Sequence, residues 1–411
     1  MKKKISLYKL LNLFLRAAGM GAKFVLILLL SKYYTDTDYR DLTLIMTFVT
    51  LSIYVIGVDF YNYSIRDILM GNEQDGLQKV VNSFFLYGII YIIFGILYYL
   101  FFDSLDFINQ YALAVFVIAL TEHLSQEIYR LLIAFGKVLL ANFILFFRLF
   151  GWVSYVIYYI QFKGSISLHH LLTIWYIFNL ISIITVALYF GIKNIKQILT
   201  VKIKKKWIIN GLKISSVFFA GTILLKIIEY ANRFVVDYFL DDIYVGIYGF
   251  YTTIALIVTI YINTIVISFE LPSLIKNTPK DPGLSNFAYF RRSIIKQLII
   301  IIFILSLFIY PLLQWQGKSV YSKHISVFFI VLGGVFFMNL SLVEHFMLYV
   351  KHQDKRILYI MVISGIFSLF SAIILTYVAG IYGTAISFFI TGVLMYYLRK
   401  YEVRKMKLPF N

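Results

Sequence analysis

Long apolar runs alternate with short polar breaks along this chain, and the runs lack the two-residue alternation of half-buried strands. About 20 consecutive apolar residues cross a bilayer as one helix. The pattern predicts twelve such helices, at 10–31, 42–63, 80–101, 109–132, 138–161, 170–191, 208–234, 244–268, 297–313, 325–349, 357–378 and 380–398. A closed barrel also satisfies backbone polar groups in lipid, but Val115–Leu120 and Leu298–Phe308 are continuous apolar runs. Only Ala379 and Gly380 separate the last two helices. The expected fold class is an all-α polytopic membrane protein.

Composition narrows the function. With 61% hydrophobic and 14% charged residues, the chain is neither a soluble enzyme nor a disordered segment. It has no cysteine, which removes disulfide scaffolds, thiolate metal sites and thiol catalysis. No G-x-x-x-x-G-K-[ST] phosphate loop occurs, so no ATP-hydrolysing module is expected, and no cofactor is expected either.

The net charge of +18 sorts by position. Lys and Arg gather at the two ends and in alternate loops, as at Lys193, Lys196, Lys202, Lys204, Lys205 and Lys206. The intervening loops carry acids such as Asp36, Asp38, Asp41, Asp241 and Asp242. Cytoplasmic loops are enriched in Lys and Arg, so both termini are expected in the cytoplasm. The basic run 202–206 reads as an anchor at the membrane surface, not as a nucleic-acid surface. Lys2-Lys3-Lys4 precedes a long span without a small-residue cleavage motif, and an uncleaved start is expected.

The basic loop 192–207 falls at the middle of the chain. It divides an expected N-terminal six-helix lobe, 1–191, from a C-terminal one, 208–411. Tyr33-Tyr34-Thr35-Asp36-Thr37-Asp38-Tyr39 resembles Tyr238-Phe239-Leu240-Asp241-Asp242-Ile243-Tyr244 at an offset of 205 residues. Each segment leads from the first span of its half into the second, as a duplicated unit requires.

Ionisable groups at membrane depth cost about 2.5–3.5 kcal/mol each on insertion scales, and each is a candidate for function. Helix 1 carries Arg16 and Lys23 two turns apart on one side. Helix 4 carries Glu122, His123, Glu127 and Arg130; helix 5 carries Arg148; helix 7 carries Lys226, Glu229 and Arg233. Asp59, Arg66, Glu344 and His345 complete the set. Glu127 with Arg130 and Glu229 with Arg233 have the spacing of ion pairs that fix packing. Arg16, Lys23 and Arg148 have no acid on their own helices and suit a cavity lining for an anionic headgroup. Trp152 and Tyr155, beside Arg148, offer flat faces for sugar rings. The paired His123–Glu122 and His345–Glu344, with Glu127 and Glu229, are candidates for proton or ion coupling.

Several segments in order resemble the polysaccharide or O-antigen flippases (Wzx-type) of the multidrug/oligosaccharidyl-lipid/polysaccharide (MOP) exporter superfamily. They are Leu11–Lys23, Gly57-Val58-Asp59-Phe60 through Ser64-Ile65-Arg66-Asp67, and Gln126-Glu127-Ile128-Tyr129-Arg130. The second half adds Arg233-Phe234, Val245-Gly246-Ile247-Tyr248 and Gly380-Ile381-Tyr382-Gly383-Thr384-Ala385. Tyr39-Arg40-Asp41 departs from the tyrosine–glycine that the family often has there. The resemblance implies a MATE-like fold of two lobes in the bacterial inner membrane. It implies a non-enzymatic flippase that moves an undecaprenyl-pyrophosphate-linked oligosaccharide to the outer leaflet by alternating access. Arg16, Lys23, Arg148, Lys226 and Arg233 would hold the pyrophosphate. A proton or sodium ion as coupling ion, and other polysaccharide-assembly proteins as partners, stay open. So do two alternatives, a drug exporter of the same superfamily and a membrane glycan polymerase or ligase.

Overall fold

A computed structural model describes residues 7–70, 73–277 and 285–406. Hydrocarbon offers no hydrogen-bond partner to a peptide group, so each span satisfies its backbone internally, as helix. The first half runs α1 (Leu7–Tyr33), α2 (Asp36–Gly57), α3 (Tyr61–Met70), α4 (Glu73–Phe101), the short α5 (Asp106–Asn109), α6 (Ala112–Ala134), α7 (Val138–Lys163) and α8 (Leu168–Thr200). The second runs α9 (Lys205–Tyr230), α10 (Asn232–Phe239), α11 (Asp242–Ala255), α12 (Ile257–Ile262), α13 (Ser268–Asn277), α14 (Ser285–Gln316), the short α15 (Ser319–Lys323), α16 (Ile325–Leu340), α17 (Leu342–Val350) and α18 (Asp354–Lys405).

Among the described residues, nine helical stretches are long and apolar enough to cross a membrane. The 27-residue α1 and the 23-residue α6 have spanning length as well. The 52-residue α18 is two helices, because Ala379 and Gly380 leave helical geometry, with Gly380 at φ 57° and ψ −142°. With the two halves of α18 taken separately, the described residues hold twelve helical stretches of spanning length, nine of the undivided stretches being apolar enough to cross a membrane, with breaks that periodicity did not indicate. The expected span 42–63 is not continuous: α2 ends at Gly57, and Val58 and Asp59 adopt left-handed backbone at φ 45° and 50°. Ser341 interrupts the span 325–349 between α16 and α17, and residues Asn263–Ile267 form a π-helical turn between α12 and α13.

The two similar segments of the halves both start helices. Thr35 caps α2, its hydroxyl accepting from the Asp38 amide at 3.1 Å, and Asp241 precedes α11. Where the sequence departs from the family pattern, Arg40 pairs with Asp41 at 3.1 Å.

Contacts divide the chain into unit 1, Met1–Ile223, and unit 2, Leu224–Asn411. The division falls within α9. In unit 1, α1 lies along α7, and α6 packs against α2, α3, α7 and α8. In unit 2, α18 receives α10, α16 and α17, while α14 covers α16. Close approach there depends on missing side chains: a Cβ on Gly392 would sit 2.5 Å from the Gly334 carbonyl oxygen.

The basic linker is clasped to unit 1. Asn82 Oδ1 accepts from the Lys204 amide at 2.8 Å, and Gln78 donates to the Lys202 carbonyl at 3.1 Å. Asp67 of α3 takes Lys79 at 2.8 Å and the Trp207 indole N–H at 2.8 Å. Burial pushes the Asp67 carboxyl up, but the bonds from Lys79 and Trp207 outweigh it and hold it below its ordinary range.

Candidate functional site

Unit 1 holds two carboxylate-centred networks on α6. The first surrounds Glu122. Arg148 of α7 donates to Glu122 Oε2 at 2.6 Å, and both residues are buried. Two residues of α8 complete the shell: Trp175 Nε1 donates to Oε1 at 2.7 Å and Asn179 at 3.2 Å. Arg148 therefore has an acid partner, supplied by a neighbouring helix, where its own helix has none. Its other side borders a small cleft lined by Ser125 and Ile128 of α6, Leu145 of α7 and Ser182 of α8.

Lys23 of α1 stands differently. Its ammonium lies 4.9 Å from the centre of the Trp175 ring, within electrostatic reach of both Glu122 and Arg148. Among the described residues no carboxylate lies within 4.0 Å of it, and the side chain is half-buried. Arg16 is on the same described helix, but its side chain lies outside the described residues.

Glu127 centres the second network. Tyr87 Oη donates to Oε2 at 2.8 Å, and Arg130, one turn along α6, donates to Oε1. The Arg130 guanidinium also lies 3.6 Å from the centre of the Tyr61 ring. His123 Nδ1 bonds Tyr91 Oη at 2.8 Å, while Nε2 faces Glu127 Oε1 at 4.0 Å. Asp59 is buried at the left-handed break after α2, and Arg66 is exposed on α3.

In unit 2, Lys226 pairs with Glu229 at 2.6 Å. Arg233 was the partner that spacing suggested for Glu229; it instead donates to Thr252 and Thr253 of α11, each at 3.1 Å. Glu344 is buried, and among the described residues neither its Oε2 nor the buried Nδ1 of His345 has a hydrogen-bond partner. Trp152 stacks on Trp175, with ring centres 5.4 Å apart and planes 5° from parallel, and is 2% exposed. It has no free face for a sugar in this conformation. Tyr155 is exposed and stands by His170.

Sequence reasoning missed Trp175 and Asn179, although their i, i+4 spacing with Ser182 at i+7 marks one polar face of an apolar helix. By position Arg399 belongs to the basic C-terminal stretch Arg399, Lys400, Arg404, Lys405 and Lys407, which the charge pattern places at the membrane surface. The structure buries Arg399, bonded to Ser341 Oγ at 2.6 Å and facing the field of Glu344.

No sequence family and no curated protein matches the chain. Solved structures do. An inward-facing multidrug resistance MATE family transporter of the MOP superfamily aligns with TM-score 0.69 at 10% identity, covering 99% of this chain and 97% of its own. The chain has the fold of the MATE transporters. A variant of the Vibrio cholerae MATE transporter VcmN aligns at TM-score 0.60 and 13% identity, covering 98% and 96%. A MOP superfamily transporter from Pyrococcus furiosus, described by the reversed polarity of its binding pocket, aligns at 0.59 and 9%, covering 97% and 94%. The same fold occurs in an outward-facing MATE transporter, so it is known on both sides of an access cycle.

Proposed function

We propose that this protein is an alternating-access flippase for an anionic lipid-linked oligosaccharide, of the undecaprenyl-pyrophosphate type, in the bacterial inner membrane. Its termini face the cytoplasm, and cargo moves to the outer leaflet. The observation that carries the reading is Lys23, a half-buried mid-helix ammonium with no carboxylate of the described residues within ion-pair distance. The stripe acids Glu122, Glu127 and Glu229 each hold a cation of the protein's own, which disfavours them as receptors for a cationic drug. Reversed pocket polarity has been described for the Pyrococcus furiosus neighbour, so the charge of the pocket is not fixed by this fold. Export of a small cationic drug is the second reading. The unpartnered Glu344 oxygen and the multidrug transporters among the fold neighbours favour it.

Gene deletion followed by location of the lipid-linked oligosaccharide tests the proposal. Complete units accumulating on the cytoplasmic leaflet, rescued by the wild-type gene but not by Lys23→Gln, are expected. Unchanged glycan export with new drug sensitivity would support the second reading. Surface-exposed, unpolymerised units would point to a polymerase.

A further inference from the structure

Arg399 is 4% exposed, and the groups it touches are neutral. Nη1 donates to Ser341 Oγ at 2.6 Å, and Nη2 lies 3.6 Å from Met361 Sδ. Among the described residues no carboxylate lies within 4.0 Å of its guanidinium. Glu344, 6% exposed, nevertheless stands within electrostatic reach, and its buried Oε2 has no hydrogen-bond partner among the described residues. Opposite charges out of water gain by touching, and each is costly when left alone. These two are near and apart. The other cations that Glu344 feels have answers of their own: Arg291 of α14 is exposed, and Lys400 donates to Tyr396 Oη at 3.2 Å.

The helices allow the gap to close. Ser341 and Glu344 are three residues apart and share one face. Ser341 is also the break between α16 and α17. On one side of it α16 is fixed, since a Cβ on Gly392 of α18 would meet the Gly334 carbonyl oxygen at 2.5 Å, and Asn339 donates to Thr259 of α12 at 2.9 Å. On the other side, α17 carries the unsatisfied atoms Glu344 Oε2 and His345 Nδ1.

We propose that α17 swings about Ser341 toward α18 during the transport cycle, so that Arg399 exchanges the Ser341 hydroxyl for the Glu344 carboxylate. Two discrete partners for one buried cation make a bistable element. The exchange strands no group, because the Ser341 hydroxyl keeps its bond to the Met338 carbonyl at 2.6 Å. The inference rests on the reading of the chain as an alternating-access transporter and makes no demand on the cargo.

The chain has no cysteine, so Tyr349→Cys on α17 and Tyr401→Cys on α18, both exposed, place one spin label on each. Pulsed electron-spin distance measurements use the full chain in nanodiscs. A second, shorter distance population is expected beside the main one. Ser341→Ala should enlarge it by about tenfold, the factor that loss of a hydrogen bond to a charged group carries. Glu344→Gln, alone or added to Ser341→Ala, should abolish it, and should also abolish glycan export in the deletion strain. A single population, the same in wild type, Ser341→Ala and Glu344→Gln, would overturn the inference, as would a shorter population that survives Glu344→Gln. Normal export by Glu344→Gln would overturn it too and leave the flippase reading standing. Failure of the wild-type gene to restore export would overturn that reading instead, and the distances, measured without cargo, would still decide the swing.

Discussion

Arg148 Nη1 lies 2.6 Å from Glu122 Oε2, tying α7 to α6 across 26 residues of sequence. Both charges are buried, so removing either one strands the other, at a cost of about 3–5 kcal/mol. Arg148→Met and Glu122→Gln are each expected to lower the unfolding temperature in detergent, and the double variant is expected to recover most of the loss. Single variants as stable as wild type would show that the pair does not hold the bundle. A loss of export in Arg148→Met thus carries a stability defect, whereas a loss in Lys23→Gln should not.

Tyr87 and Tyr91 rank differently. Tyr87 donates to the Glu127 carboxylate, while Tyr91 bonds a histidine nitrogen. A hydrogen bond to a charged group contributes about 1.5–3 kcal/mol and a neutral one about 0.5–1.5 kcal/mol. Tyr87→Phe should destabilise more than Tyr91→Phe in denaturant titrations, and the reverse order would contradict an ionised Glu127.

Helix contact in unit 2 is set by Gly392. An added Cβ meets Gly334 backbone at 2.5 Å, and backbone cannot turn aside as a side chain can. Gly392→Ala should cost about 1–3 kcal/mol through overpacking. Gly221→Ala, where nothing lies within 4 Å, should be neutral or slightly stabilising, and thermal unfolding compares the two.

Acid should release the linker clasp late. Asp67 is held below its ordinary range, so its contribution is full above the unfolded carboxylate value, near about 3.9, and is lost as pH falls through the lower folded value. The Trp207 fluorescence, taken as the difference from Trp207→Phe, is expected to stay constant down to about pH 4 and change below it. In Asp67→Asn the change should be absent, and a transition near neutral pH would implicate another group.

The membrane class, the helical passes and the position of the half-repeat were legible because each depends on local pattern. Apolar run length fixes a span, and Thr35 marks the start of α2 by the hydroxyl that caps it. The breaks at Val58–Asp59 and Ser341 were illegible, since neither carries glycine or proline at the break itself and packing imposes them. Spacing found the Glu127–Arg130 pair because both lie on one helix.

By itself, then, the sequence determined an all-helical membrane chain with charges at depth and an uneven share of basic residues on helices 1 and 5. Helical periodicity gives the face a residue occupies on its own helix, and nothing about which helix stands opposite. Only the tertiary structure decided that α6 brings Glu122 to Arg148, that α8 closes the carboxylate with Trp175 and Asn179, and that Lys23 is left facing an indole ring. It also moved Arg399 from the terminal charges to the interior of unit 2. The partner of a buried charge is chosen by helix packing, and with it the choice between an ion pair and a group free to meet a ligand.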